Sequence, residues 1–260
     1  MPPPSSRPWA LITPASRGIG RALARHVLST TRVPVVATAR GDRGNIDAAR
    51  KEILAGVERR DEVKAEERLK VVGMDFLGLL FPEKAPSQID AADALLTFRT
   101  NALGPLLAIK HFSPFLPRKS TRFSSSSSPS SSDGDDTSSY DGLPSDHAVW
   151  ATMSARVGSI GDNRLGGWYS YRASKAAVNQ ATKTFDNHLR TSAAGNAMAV
   201  ALHPGTVKTG LSEEFWGNVA EGKLFSPEFA SERLVEVVRG LGVERGRGRC
   251  WDWRGEEVLP

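Results

Sequence analysis

What most constrains this chain is a rhythm of short apolar runs, each ending abruptly in a small or polar turn, alternating with stretches of helical periodicity. Trp9–Thr13 runs into a Gly-rich turn, followed by a pattern with Ile19, Leu23, Val27 and Leu28 on one face. Val33–Ala39 is a second run, with Pro34 tolerable near its start. Asp47–Lys70 is charged and helical in character, and Leu69–Met74 is a third run ending at Asp75. Asp90–Leu116 predicts a long helix kinked or broken at Pro105. His147–Met153 ends at Ser154, a helix covers about Tyr169–Thr191, and Ala197–Leu202 is closed by His203-Pro204-Gly205. A helix near Pro227–Arg239 and a strand near Arg249–Trp253 finish the pattern. Strands alternating with helices imply a parallel sheet covered on both faces. The expected class is α/β: a doubly wound parallel sheet in three α/β/α layers.

A length of 260 residues fits one such domain over positions 1–260, and a 40% hydrophobic share is enough for its core. One segment does not belong to that core. Residues 118–146 are dominated by serine with Pro, Gly and Asp, and predict a disordered surface insertion. The start, Met-Pro-Pro-Pro-Ser-Ser-Arg-Pro, lacks the apolar stretch of a secretory signal and reads as a frayed cap. No apolar run reaches the roughly 18–20 residues of a membrane span. Cys250 is the single cysteine, so an internal disulfide is impossible and a reducing, cytoplasmic setting is expected. The net charge of +5 raises the question of nucleic acid. Lys and Arg are dispersed, however, with no aromatic-interleaved basic stripe, so neither nucleic acid nor membrane is expected as a partner. A positive surface also suits a polyanionic cofactor.

Two constellations carry chemistry. Thr13-Pro-Ala-Ser-Arg-Gly-Ile-Gly20 lies between a strand and a helix. Backbone N–H groups there favour a pyrophosphate, and Gly18 and Gly20 permit close approach, as in Rossmann-type folds. Tyr171 and Lys175 are four apart on a helix, so phenol and ammonium share a face. A nearby cation can lower a phenol's ordinary pKa of about 10 by roughly 1–3 units. Ser154, Gly18 and the Pro204-Gly205 turn all fall at carboxyl ends of strands, where parallel α/β sheets place their sites. At the end of the second strand, Arg40 suits the 2′-phosphate of NADP, whereas an acidic residue would select NAD. Arg17 is a plausible second half of that clamp, and Asp42 lies just beyond the acidic position.

The order Thr-x-x-x-x-Gly-Ile-Gly, Asn101-Ala-Leu-Gly-Pro, Ser154, Tyr171-x-x-x-Lys175 and Pro204-Gly-Thr-Val-x-Thr209 resembles the short-chain dehydrogenases/reductases. Ser154-Ala-Arg-Val-Gly-Ser-Ile160 and Gly166-Gly-Trp-Tyr-Ser-Tyr-Arg-Ala-Ser-Lys175 are similar to the C-factor-like branch. The resemblance implies an NADP(H)-dependent oxidoreductase acting on a small carbonyl or alcohol compound. Tyr171 would exchange the proton, and Lys175 would tune Tyr171 and hold the nicotinamide ribose. Ser154 would bind the substrate oxygen, with Ser159 as its rival in register, and Asn101 would support Lys175 through a water. Thr13, Ser16, Arg17, Gly18, Ile19, Gly20, Arg40 and Asp75 would line the nucleotide side, and Pro204, Gly205, Val207 and Thr209 the nicotinamide side. No metal is implied, and a homodimer or homotetramer is. The loop from Thr206 to about Phe225, with Leu211, Phe215 and Trp216, would set the substrate.

Two departures stand against this pattern. Pro14 takes the place of the first glycine of the cofactor turn, so that turn must be re-formed locally. After Asp75 the chain passes straight to Phe76-Leu-Gly-Leu-Leu-Phe-Pro-Glu-Lys84, omitting a crossover helix and central strand of roughly 25–30 residues. Phe76–Phe81 could supply a short substitute strand. A mispredicted exon boundary, a catalytically inactive remnant of the fold and a tolerated deletion are the competing explanations.

Overall fold

The computed structural model describes residues 8–57, 64–74, 83–123 and 142–260. In chain order the elements are β1 (Ala10–Ile12), α1 (Gly18–Thr30), β2 (Val35–Ala39), α2 (Arg43–Leu54), α3 (Ala65–Arg68) and β3 (Leu69–Gly73). Then come α4 (Ala91–Phe98), a π-helical stretch (Arg99–Leu103), α5 (Gly104–Phe112), β4 (Ala148–Met153) and α6 (Tyr169–Ser192). The chain ends with β5 (Ala197–His203), β6 (Thr206–Val207), β7 (Leu224–Phe225), α7 (Pro227–Gly240), α8 (Val243–Gly246), β8 (Cys250–Asp252) and β9 (Glu257–Val258). Contacts divide the chain into two compact units.

The first unit comprises residues 1–76, 122–146 and 226–239. Its sheet is parallel throughout, in the order β1-β2-β3, with Ala37 facing Ile12 on one side and Val71 on the other. β2 is buried almost end to end, as a central parallel strand should be, and Val35, Ala37 and Leu69 join Val27, Leu28 and Ile53 in one core. Of the face predicted for α1, Val27 and Leu28 are buried, Ile19 and Leu23 are half-buried, and Ala22 and Ala24 join the buried side. Arg68 closes the far end by donating to the carbonyls of Leu28 and Thr31.

The second unit comprises residues 77–121, 147–225 and 240–260. β4, β5 and β8 run parallel, and β9 adds an antiparallel edge that the sequence reading missed. β5 is buried from Ala197 to Leu202, and Phe185 and Leu189 of α6 pack over it with Trp150 of β4. Asp186, fully buried in α6, accepts from the Ala199 amide, Arg190 and Arg247 and so fastens the helix to the sheet.

The predicted strands and helices mostly appear, with shifted ends. The helix expected over Asp90–Leu116 is neither straight nor broken at Pro105. It passes through the π-helical stretch, whose extra residue lets the Gly104 amide reach the Arg99 carbonyl. Pro105, lacking an N–H, then sits at the start of α5, where none is needed. Among the described residues no strand stands between β3 and α4. The substitute strand proposed for Phe76–Phe81, Asp75 itself and residues 124–141 of the Ser-rich segment lie outside the described residues. Of the described helices, none is long and apolar enough to cross a membrane.

Candidate active site

In the first unit the described residues expected on the nucleotide side lie at or beyond the carboxyl ends of β1 and β2. The Thr13–Pro14 bond is cis, and the Ala15 amide donates to the Thr38 carbonyl at 2.8 Å. Gly20 is obligatory there, because a Cβ would lie 1.8 Å from the Pro14 carbonyl oxygen. The Thr13 hydroxyl accepts from Thr38 at 2.6 Å and points toward the Met74 sulfur, 3.9 Å away, so it ties three strand ends together. Gly18 takes φ +55, and α1 begins with no side-chain cap and no acidic residue in its first turn. Its N-terminal amides are therefore left for an anion. The Ile19 carbonyl instead accepts from Ser231 of α7 at 3.4 Å. Ser16 is half-buried in the same turn.

Arg17 and Arg40 are exposed, and among the described residues neither guanidinium has a hydrogen bond or ion pair. Asp42, which could have argued for the other nicotinamide cofactor, is otherwise engaged: its carboxylate accepts from the Asn45 amide at 3.0 Å as the N-cap of α2. An uncapped helix start and two unpartnered cations suit a pyrophosphate carrying a further phosphate.

In the second unit Tyr171 and Lys175 occupy the first two turns of α6. The Lys175 ammonium lies 5.6 Å from the Tyr171 ring centroid and donates to the Met153 carbonyl at 3.1 Å. That carbonyl closes β4, so the strand end holds the lysine in place. Burial pushes the Tyr171 phenol up to about 12 and the Lys175 amine down to about 8. The sequence argument expects a lowered phenol. Loss of water around the ring is the cause of the rise.

Ser154 follows directly. Its amide donates to the Leu202 carbonyl, and its buried hydroxyl donates to Asn179 Oδ1 at 2.6 Å. Trp150, which packs on Phe185, and Ser154 thus share the face of β4 that looks onto α6. Ser159 instead caps its own loop, accepting from the Asp162 amide at 3.0 Å. Asn101, buried in the π-helical stretch, donates to the Ser174 hydroxyl at 3.3 Å, and Ser174 donates back to the Tyr171 carbonyl. π-helical turns recur at functional sites because the inserted residue re-aims a side chain.

Pro204 and Gly205 follow β5 on the same sheet end. Gly205 has φ +77, and a Cβ there would strike Phe225 and Trp253. Val207 is buried in β6, and Thr209 lies in a turn drawn together by Ser212, whose hydroxyl donates to the Val207 carbonyl. Trp216 of the expected substrate loop donates to Ser212 and stacks under Lys208, and Leu211 is exposed.

The sequence reading missed Asn179 and Glu83. Asn179 is legible in retrospect, four residues beyond Lys175 on the same helical face. Glu83 gives no such signal: it is buried, far off in sequence, and bound to Ser170.

No family model matches the chain. Among curated proteins it is 30% identical over 174 residues to C-signal of Myxococcus xanthus, an alignment covering 67% of this chain and 82% of that protein. The chain belongs to the short-chain dehydrogenase/reductase family. A second relative in that search, 1-hydroxy-2-glutathionyl-2-methyl-3-butene dehydrogenase of Rhodococcus sp. AD45, is 39% identical over 92 residues, 35% of this chain and 38% of that protein. Among solved structures, the NADPH-bound carbonyl reductase from chicken fatty liver superposes with a TM-score of 0.74. It is 22% identical, covering 98% of this chain and 99% of that one, and bears out the Rossmann-type fold.

Proposed function

We propose that this short-chain dehydrogenase/reductase is an NADP(H)-dependent oxidoreductase interconverting a small carbonyl compound and its alcohol. The observation that carries it is the half-buried Tyr171–Lys175 pair on one face of α6, anchored to the end of β4. NADPH, when bound, supplies the hydride that adds to the carbonyl carbon. Tyr171 donates the phenolic proton to the oxygen as negative charge develops there. A phenol held near 12 is fully protonated at neutral pH, which is the form a proton donor needs. Lys175, with its amine near 8, remains largely cationic at neutral pH and stabilises the phenolate left behind. Ser154, whose hydroxyl donates to Asn179 Oδ1, would turn that proton to the substrate oxygen. Asn101 braces the first turns of α6 through Ser174.

Arg17 and Arg40 would hold the 2′-phosphate, and the uncapped start of α1 the pyrophosphate. Pro204, Gly205, Val207 and Thr209 would line the nicotinamide end. The test is thermal stabilisation of the purified chain by NADPH and, separately, NADH. Ligand at a hundred times its Kd adds about 2.7 kcal/mol. A shift with NADPH alone, followed by reduction of a carbonyl probe such as isatin, is the expected result. No shift with either nucleotide from folded protein refutes it.

A second reading, a non-catalytic member of the fold, draws on the sheets: β1 and β4 each end their own sheet, with no further strand on the outer side among the described residues. Isatin turnover that disappears in Tyr171→Phe rules that reading out.

A further inference from the structure

Helix α6 starts badly by its own sequence. Gly166, Gly167 and Trp168 are three successive left-handed residues, at φ +64, +67 and +51, and the last of them is a tryptophan. Such a backbone is sterically costly for a side-chain-bearing residue. Trp168 provides no side-chain cap, and the first turn carries no acidic residue. A 24-residue helix with bare N-terminal amides frays from that end, and Tyr171 is its third residue.

The missing cap comes from elsewhere in the chain. Glu83, 4% exposed, accepts from the Ser170 amide at 2.8 Å through one oxygen and from the Ser170 hydroxyl through the other. Its carbonyl accepts from the Trp168 amide at 2.5 Å. Arg172 completes the clasp, donating to the carbonyls of Gly167, Gly166 and Val157. The carboxylate therefore sits where the helix dipole favours negative charge, one residue before the phenol.

We infer that Glu83 is a positioning residue for Tyr171, fixing the first turn of α6 so that the phenol is held at the reacting carbonyl. This rests on the oxidoreductase reading, because Glu83 acts on Tyr171 only through Ser170. A misplacement of about 1 Å can cost on the order of a hundredfold in rate. Glutamine keeps an acceptor for the Ser170 amide, and alanine keeps none.

The experiment compares the full-length chain with Glu83→Gln and Glu83→Ala, well below each melting temperature. With NADPH and isatin, Glu83→Ala loses about 10–100-fold in kcat while KM for NADPH holds, and Glu83→Gln recovers most of the loss. A purely structural cap lowers the melting temperature and leaves kcat alone, which overturns the inference. The second arm needs no turnover. In a Tyr140→Phe/Tyr169→Phe background Tyr171 is the sole tyrosine. Its phenolate absorbance at about pH 11 is small with Glu83 and with Glu83→Gln, and near complete with Glu83→Ala as the ring meets water. Equal titration in all three refutes the positioning role. A wild-type chain without turnover refutes the oxidoreductase reading alone, and the phenol titration still decides Glu83.

Discussion

Lys175→Met should make the protein more stable at neutral pH while removing its activity. Burial lowers the Lys175 pKa from the ordinary 10.5 to about 8. At about 1.4 kcal/mol per pH unit, holding that charged amine inside costs the folded state roughly 3 kcal/mol below pH 8. Between about 8 and 10.5 the unfolded chain binds the proton and the folded chain does not, so stability rises with pH through that window. Methionine has nearly the same length and no charge to desolvate. It loses the hydrogen bond to the Met153 carbonyl, worth about 1 kcal/mol. The net gain at pH 7 is therefore about 2 kcal/mol, shrinking to a small loss near pH 10. Urea unfolding of both proteins across that range measures the difference directly, and other titrations common to both cancel. With isatin and NADPH the variant should lose about 10²–10⁴-fold in turnover. A destabilised Lys175→Met at pH 7, or a difference that ignores pH, refutes the assignment of Lys175 as a buried charge kept for chemistry at a cost in stability.

Arg40→Ala should weaken NADPH by about 1.5–3 kcal/mol, one charge-assisted contact, and leave NADH unchanged in the same thermal titration. Gly20→Ala drives a methyl into the Pro14 carbonyl, and should cost at least about 1–3 kcal/mol of stability and the NADPH shift with it, read by denaturation and titration. Asp186→Ala strands the buried Arg247 guanidinium and frees the Ala199 amide, so urea unfolding should register a loss of about 3–5 kcal/mol with nucleotide preference unaltered.

Most of the fold was legible because parallel strands and their helices are written in local pattern. The apolar runs at Val35–Ala39 and Ala197–Leu202 became buried central strands, and the stripe of α1 became its core face. What escaped was decided by partners or by single inserted residues. β9 is two residues long, and nothing but its pairing with β8 makes Glu257–Val258 a strand. The π-helical stretch around Asn101 depends on how one extra residue is absorbed before Pro105, which the apolar periodicity does not mark.

The candidate site divides along the same line. Tyr171 and Lys175 announce themselves, since four-residue spacing on a helix guarantees a common face whatever the rest of the chain does. Asp42 misleads at that level: a carboxylate near the end of β2 looks like a ribose ligand until its bond to the Asn45 amide shows it capping α2. The groups that hold the pair in place leave no local trace. Glu83 is 87 positions from Ser170, which it binds through both carboxylate oxygens. Asn179 matters only because Ser154 arrives from β4 on the face that looks onto α6. Spacing reveals the groups that perform chemistry, because chemistry needs particular residues close together. The supports need only reach those groups from any distance along the chain, and folding alone brings them there. The omission after Asp75 has the same character. It removes a stretch of pattern without disturbing Tyr171 or Lys175, so its consequence has to be read at the nucleotide, by the NADPH titration, rather than at the catalytic pair.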